Sequence, residues 1–138
     1  MNIPVMITDN VTELLVKIIS FTEVRRKVIT GNINNMRNPE FAPTDLDVNE
    51  FSQLLNYAID EHTRNNRLVL CDTDTIKFGQ GGSFEVRPVF DKCAKELLDK
   101  NQDEYLEHQI NKLLENALNQ KVAETLLKQK EGITTDFE

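Results

Sequence analysis

Apolar residues recur at spacings of three and four through the first quarter of the chain, the pattern of an amphipathic helix. These positions are Val11, Leu14, Leu15, Ile18, Ile19, Phe21, Val28, Ile29 and Ile33. The pattern predicts a long N-terminal helix over residues 10–36, with Asp9 or Thr8 placed to cap its first turn. The basic run at residues 25–27 is expected to lie mostly on the solvent side of this helix.

The same periodicity returns near the C-terminus and predicts a second long helix over residues 103–131. Its apolar positions are Leu106, Ile110, Leu113, Leu114, Ala117, Leu118, Val122, Leu126 and Leu127. Gly132 is expected to follow the helix end. Neither helix can bury its apolar stripe alone, so we expect the two to pack together as an α-helical coiled coil. The stripes are wide for so short a chain, which suggests association with other chains.

Between the long helices, residues 37–60 are predicted to form a turn and a short helix. Asp47 and Glu50 have the spacing of a capping box, and the helix is expected over about residues 48–61. One face of this helix would carry Phe51, Leu54, Leu55, Ala58 and Ile59.

Residues 61–102 form a middle segment of different character. Two stretches rich in β-branched and aromatic residues flank the glycine-rich sequence GQGG at residues 79–82, which predicts a small β-hairpin or an extended segment. Pro88 would restrict the second stretch to a sheet edge. A short helix is expected from about residue 91. The fold class is therefore mainly α, in a single domain.

Charge and hydropathy exclude several classes of function. The 138-residue chain has a formal net charge of −7, which disfavours binding to nucleic acid or to an anionic membrane surface. Its longest apolar run is interrupted by Lys17, so we expect no direct insertion into a membrane. The N-terminal sequence has neither the basic region nor the cleavage site of a cleavable signal peptide.

Candidate enzyme chemistry is weak. His62, Cys71, Asp72 and Asp74 lie close together in sequence, but their spacing matches no metal-ligand pattern. Cys71 and Cys93 are far apart in unlike contexts, and we expect both to be reduced. The glycine-rich sequence lacks the following lysine and helix of a phosphate-binding loop. We therefore predict that the protein is not an enzyme and has no catalytic residue, metal site or cofactor.

The sequence NINNMRNPEF, residues 32–41, ends the N-terminal helix. Asparagines suit a helix end because they tolerate left-handed geometry and hydrogen-bond to nearby backbone. Pro39 prevents any continuation of the helix. On these grounds alone the segment is an ordinary helix-terminating turn.

The order of residues in this turn also resembles a family signature. Asn32, Ile33, Asn35, Pro39 and Phe41 are similar to the motif N-I-A-N-x-x-T-P-G-Y, which follows the N-terminal helix of flagellar axial proteins (rod, hook and hook-associated). The C-terminal helical sequence, opening with the pair at residues 106–107, is similar to the closing helix of that family. The chain thus resembles the flagellar basal-body rod proteins, in particular proximal rod proteins. Asn34, Asn38 and Glu40 depart from the motif, and the middle segment has no counterpart.

The resemblance implies a structural subunit of the proximal rod, which polymerises through its terminal helices into the axial drive shaft that transmits torque for motility. Export through the flagellar type III pathway without a cleavable signal peptide would place it in the periplasm-spanning rod of the basal body. Its partners would be other rod and basal-body proteins and the export apparatus. Residues expected in assembly and helix packing are Leu14, Ile18, Phe21, Ile110, Leu113, Ala117 and Leu118. The alternative is a small cytoplasmic helical adaptor or flagellar export chaperone.

Overall fold

The computed structural model describes residues 9–79 and 83–135, with side chains described as far as residue 132. Its helices are α1 (Asn10–Asn34), α2 (Val48–Asn65), α3 (Lys92–Lys100) and α4 (Gln102–Thr135). Its strands are β1 (Thr44–Asp45), β2 (Ile76–Lys77), β3 (Glu85–Val86) and β4 (Val89–Phe90). The fold is mainly helical, with long helices at both ends and short strands in the middle, which confirms the predicted class.

Side-chain caps explain where the helices begin. The carboxylate of Asp9 accepts a hydrogen bond from the Thr12 backbone N–H at 2.7 Å, and Asp47 accepts one from Glu50 at 2.9 Å. Each bond satisfies an N–H group that the first helical turn leaves free. The prediction that Gly132 follows the end of the last helix is wrong, because Gly132 lies inside α4. A glycine ends a helix only where the chain turns left-handed, and here it keeps a negative φ.

The predicted hairpin forms around the glycine-rich connection. Strands β2 and β3 pair antiparallel, with Ile76 opposite Val86. Gly79 has a φ of +63°, and a Cβ atom there would collide with the backbone of Ser83. Strand β4 instead pairs with β1, where Thr44 lies opposite Phe90. This second pairing ties the middle segment to the turn that follows α1.

Four phenylalanines form the centre of the apolar core, and we call them the aromatic cluster. They are Phe21, Phe51, Phe78 and Phe84. The rings of Phe21 and Phe51 stack with centroids 3.9 Å apart, and Phe84 meets Phe51 edge-on at 6.2 Å. Leu46 and Ile76 complete the buried set. The cluster joins α1, α2 and the β2–β3 hairpin, so it holds together the first two-thirds of the chain.

Helices α1 and α4 pack side by side and run antiparallel. Asp9 meets Lys130 at one end of the pair, and Asn32 meets Gln109 near the other. The residues of α4 that are buried in this region are Tyr105, Gln109, Asn116 and Ala123. Their spacing of four or seven positions is that of a coiled-coil seam.

The expectation that the two apolar stripes pack against each other is wrong for α4. Leu114 and Leu118 are each 64% exposed, and Ile110 is 41% exposed. The face turned inward instead carries two buried amides, Gln109 and Asn116, which hydrogen-bond to Asn32 and to the Thr22 carbonyl of α1. The stripe of α1 does pack inward: Leu14 and Phe21 are buried, and Ile18 is partly buried against the aromatic cluster.

Candidate functional site

The turn after α1, which we call the corner (residues 32–41), is built around the side chain of Asn32. This residue is only 2% exposed. Its amide nitrogen donates to the Thr44 carbonyl at 2.7 Å and to Gln109 Oε1 at 2.9 Å, while its oxygen accepts from the Thr44 N–H at 3.2 Å. One asparagine therefore ties the end of α1 to β1 and to α4.

Tyr105 fastens the start of α4 to the same place. Its hydroxyl donates to the Asn32 carbonyl at 3.0 Å, and the side chain is fully buried. Burial, with a smaller contribution from the negative charge of Asp91, raises the pKa of Tyr105 to about 12. The hydroxyl thus keeps its proton, and its role as a donor, throughout the ordinary pH range.

The remaining signature residues close the corner locally. The side chain of Asn35 donates to the Gly31 carbonyl at 2.8 Å, which satisfies a group at the end of α1. Phe41 is partly buried against Tyr105 and the nearby α3 residues, whereas Pro39 is exposed and Ile33 is intermediate. Glu40, which replaces the glycine of the family motif, has a negative φ and adopts its conformation without strain.

A buried network of charged side chains lies beside the corner. Arg25 donates two hydrogen bonds of 3.0 Å to the Asp45 carboxylate. Lys112 bridges Asp45 at 2.9 Å and Asp91 at 2.8 Å. The network connects α1, β1, α4 and the residue that caps α3. The expectation that the basic run lies mostly on the solvent side holds for Arg26 and is wrong for Arg25, since the Asp45 carboxylate draws its guanidinium inward.

Opposing effects set the pKa values in this network. Burial raises the pKa of Asp45, but the hydrogen bonds from Arg25 and Lys112 outweigh it and leave the pKa below its usual 3.8. Burial likewise lowers the pKa of Lys112, and the bonds to Asp91 and Asp45 outweigh it, so the pKa is raised. Both groups are therefore charged at neutral pH, and each compensates the burial of the other.

An open cavity of about 380 Å³ lies next to this network. Its walls include Val89, Phe90 and Lys92 together with Arg25, Asp45 and Asp91. The last three already bond within the network, and Asp91 also caps α3 by accepting from the Ala94 N–H. Because these charges are committed to structural bonds, the cavity does not present them to a ligand.

Two of the residues considered for catalysis form hydrogen bonds within the fold. Asn10 hydrogen-bonds His62 at 3.0 Å, and Asp72 accepts from the Phe78 N–H at 2.9 Å. Cys71 is exposed and unpaired. Within residues 9–79 and 83–135, no three His, Cys, Asp or Glu side chains are grouped so that they could hold a metal ion. Across that same part of the chain, none of the helices has the length and apolar character needed to cross a membrane.

The outer face of α4 carries a continuous apolar surface, which we call the α4 ridge. Its members are Ile110, Leu114, Leu118, Val122 and Leu126, and they are between 41% and 64% exposed. Residues four apart on a helix lie next to one another and form such ridges. Of the other α4 residues predicted for assembly, Ala117 is exposed and Leu113 is partly buried. The predicted assembly residues of α1 thus lie inside the fold, whereas those of α4 are exposed except for the partly buried Leu113.

The polar inner face of α4 is the feature that sequence reasoning missed. Gln109 and Asn116 are buried, and Asn116 donates to the Thr22 carbonyl at 2.8 Å. A signal was present in the spacing of Tyr105, Gln109 and Asn116, since seven-residue repeats mark one helix face. The apolar stripe, unlike this spacing, predicts the wrong inner face for α4.

Comparison with protein-family models, curated proteins and solved structures finds no match to this chain. The resemblance to rod proteins therefore rests on the corner and on the sequence of α4. A function of this chain must therefore involve the corner and, above all, the exposed α4 ridge.

Proposed function

We propose that the chain is a structural subunit of the bacterial flagellar basal-body rod, which polymerises into the axial drive shaft and transmits torque for motility. The observation that supports this proposal best is the α4 ridge. Its five apolar side chains remain exposed after α1 and α4 have packed together. Monomeric soluble proteins rarely leave so continuous an apolar surface open, and such surfaces mark sites of protein association.

The exposed apolar surface would supply part of the free energy of assembly. Full burial of a Leu, Val or Ile side chain contributes roughly 1.5–3 kcal/mol. About half of each ridge side chain is exposed, so neighbours that cover all five would contribute on the order of 5 kcal/mol before the costs of association. Because the α4 ridge lies outside the contact with α1, other subunits could bind it while the two helices stay packed together.

The corner supplies the second requirement of a polymer subunit, a fixed orientation of its parts. Asn32 and Tyr105 hold the end of α1, β1 and the start of α4 in one arrangement. Strand β1 in turn pairs with β4 of the middle segment. The middle segment is consequently oriented relative to the helical pair before any neighbour binds, which suits a subunit that repeats along an axis.

In this proposal the partners are other rod and basal-body proteins and the flagellar export apparatus. The subunit would be exported without a cleavable signal peptide and would reside in the periplasm-spanning rod. The role is structural and includes no catalysis and no cofactor.

The test compares two substitutions on adjacent residues of α4. Leu118→Asp places a carboxylate in the α4 ridge, whereas Asn119→Asp introduces the same group at an exposed position outside it. We expect Leu118→Asp to abolish both motility and recovery of the chain in purified basal bodies, while Asn119→Asp preserves both. Far-UV circular dichroism of both purified variants should match wild type.

Two results would contradict the proposal. One is normal motility in the Leu118→Asp strain. The other is the absence of the wild-type chain from purified basal bodies; if the chain instead remains bound to an exported subunit, the adaptor or export chaperone becomes the better account.

A further inference from the structure

A single residue, Asn101, joins α3 to α4. Its backbone is extended, with a φ of −156° and a ψ of 106°. There α3 folds back along α4, so that the Asp91 carboxylate lies 2.8 Å from Lys112 Nζ, and Leu98 and Tyr105 share one buried cluster. We propose that Asn101 is a hinge through which two copies of this chain exchange their α4 helices. This inference goes beyond the proposed rod function and does not depend on it.

Backbone hydrogen bonds continue the helical pattern on both sides of the hinge. The Asn101 N–H donates to the Leu97 carbonyl at 2.8 Å, and the Asn101 carbonyl accepts from the Tyr105 N–H at 3.0 Å. Both bonds join residues four apart, as in an α-helix. Neither glycine nor proline occurs between residues 92 and 131. A change of Asn101 alone to helical backbone would therefore convert the bent form into a straight form, in which residues 92–135 are one helix.

The straight form would gain backbone hydrogen bonds at the hinge. In the bent form the Asn101 side chain accepts from the N–H groups of Asp103 and Glu104 at 3.0 Å and 3.2 Å. In a continuous helix, residues 102–104 would donate instead to the carbonyls of residues 98–100, which a helix end leaves unpaired within the helix. The hinge itself thus favours the straight form, whereas the contacts between α4 and α1 favour the bent form. Exchange of α4 satisfies both.

The polar face of α1 selects the α4 of another copy as the replacement. Within one chain, the buried side chain of Asn32 bonds to Gln109, and the Asn32 carbonyl accepts from the Tyr105 hydroxyl. The Thr22 carbonyl accepts from Asn116. An apolar helix in the same place would leave these buried groups without partners, which is unfavourable. The α4 of a second copy restores each of these bonds.

Exchange between two copies closes into a dimer. A twofold axis near Asn101 would relate the two straight helices, so that Leu98 of each copy packs with Tyr105 of the other and Asp91 bonds to Lys112 of the other. The same pairs form within one chain in the bent form. Because most contacts are only exchanged, the dimer must offset the entropy of association. We therefore expect it at high protein concentration, and we expect slow exchange because α4 must first leave α1.

Two changes at the hinge should shift the equilibrium in opposite directions. Asn101→Ala removes the cap that only the bent form uses and favours helical backbone, so it should tighten the dimer about tenfold. Insertion of Gly-Ser-Gly after Lys100 interrupts the straight helix and should leave only monomer. Analytical ultracentrifugation after refolding from urea at several concentrations measures both, and circular dichroism checks that each variant is folded. An Asn101→Ala chain that stays at 15.9 kDa at every concentration would overturn the proposal.

Cross-linking tests whether the dimer forms by exchange, with the native hinge in place. In a Cys71→Ser, Cys93→Ser background, Asp9→Cys and Lys130→Cys each place one thiol at positions that meet between α1 and α4. The two variants are refolded together, at a concentration where ultracentrifugation detects dimer, and treated with a short bismaleimide. The mixture should give a cross-linked pair of chains, and neither variant alone should. Dimers that give no mixed cross-link would show that α4 stays in its own chain, which would refute exchange and leave the rod proposal standing.

Discussion

Helix α1 is held by two interfaces of opposite chemistry. On one side Phe21 enters the aromatic cluster, where apolar surface is removed from water. On the other side α1 meets α4 through the hydrogen bonds of Asn32 to Gln109 and of Asn116 to the Thr22 carbonyl, and Arg25 is joined to Lys112 of α4 through Asp45. Apolar burial is strong but has little directional preference, whereas hydrogen bonds require particular partners. The aromatic cluster accounts for stability, and the polar interface accounts for the register of the two long helices.

The contrast between the aromatic cluster and the polar α1–α4 interface also explains why the α4 ridge is exposed. Because buried amides bond α4 to α1, the five residues of the α4 ridge are not needed for that contact. They remain available for association on the outer side of the helix. Variants that weaken one interface at a time can test the division.

The largest effect is expected in the aromatic cluster. Phe51 contacts three other phenylalanine rings, so Phe51→Ala should lower the free energy of unfolding by about 3–5 kcal/mol through lost burial and a cavity. Urea denaturation followed by circular dichroism measures this change. Phe90, which is 56% exposed, provides the control, and Phe90→Ala should change the value by less than about 1 kcal/mol. Equal costs for the two variants would show that the cluster is not the main source of stability.

A smaller but more selective effect is expected at the corner. Asn32→Ala removes three hydrogen bonds and leaves Thr44 and Gln109 without their partner, which should cost about 2–3 kcal/mol. Gln109→Met should cost less than about 1 kcal/mol, because it also removes an amide nitrogen, Nε2, that has no partner in the structure. The same urea titration compares the two variants. If Gln109→Met lowered the free energy of unfolding more than Asn32→Ala does, the register of α1 and α4 would depend on Gln109 and not on the corner.

The smallest effect is a dependence of stability on acid pH. The folded pKa of Asp45 is lowered, so its contribution is fully present above the ordinary value of 3.8 and is lost as pH falls through the folded value. The stability difference between wild type and Asp45→Asn should therefore shrink below about pH 4. Denaturation curves at pH 7 and at pH 3 measure it. A difference that is unchanged between the two pH values would show that the Asp45 carboxylate does not stabilise the fold through its charge.

Sequence periodicity was sufficient to find the helices and the hairpin. The caps at Asp9 and Asp47 could be predicted because they depend on residues within one turn. The pairing of β1 with β4 could not, since it joins Thr44 and Phe90 across the whole of α2 and the hairpin.

Which face of α4 is buried could not be predicted from the sequence, for a different physical reason. Gln109 and Asn116 have side chains that are usually exposed, and only their partners on α1 make burial favourable. Those partners are distant in sequence. Asn32 could be singled out by family resemblance, but its bond to Gln109 spans 77 residues and is visible only in three dimensions.

The span of that bond has a consequence for the order in which the chain can fold. A chain made or threaded from its N-terminus presents Asn32 long before Tyr105 and Gln109 are available. Until α4 arrives, the corner lacks two of the groups that hold it, and one flank of α1 stays open to water. Completion of the fold therefore requires the last quarter of the chain, so a chain without α4 remains partly folded.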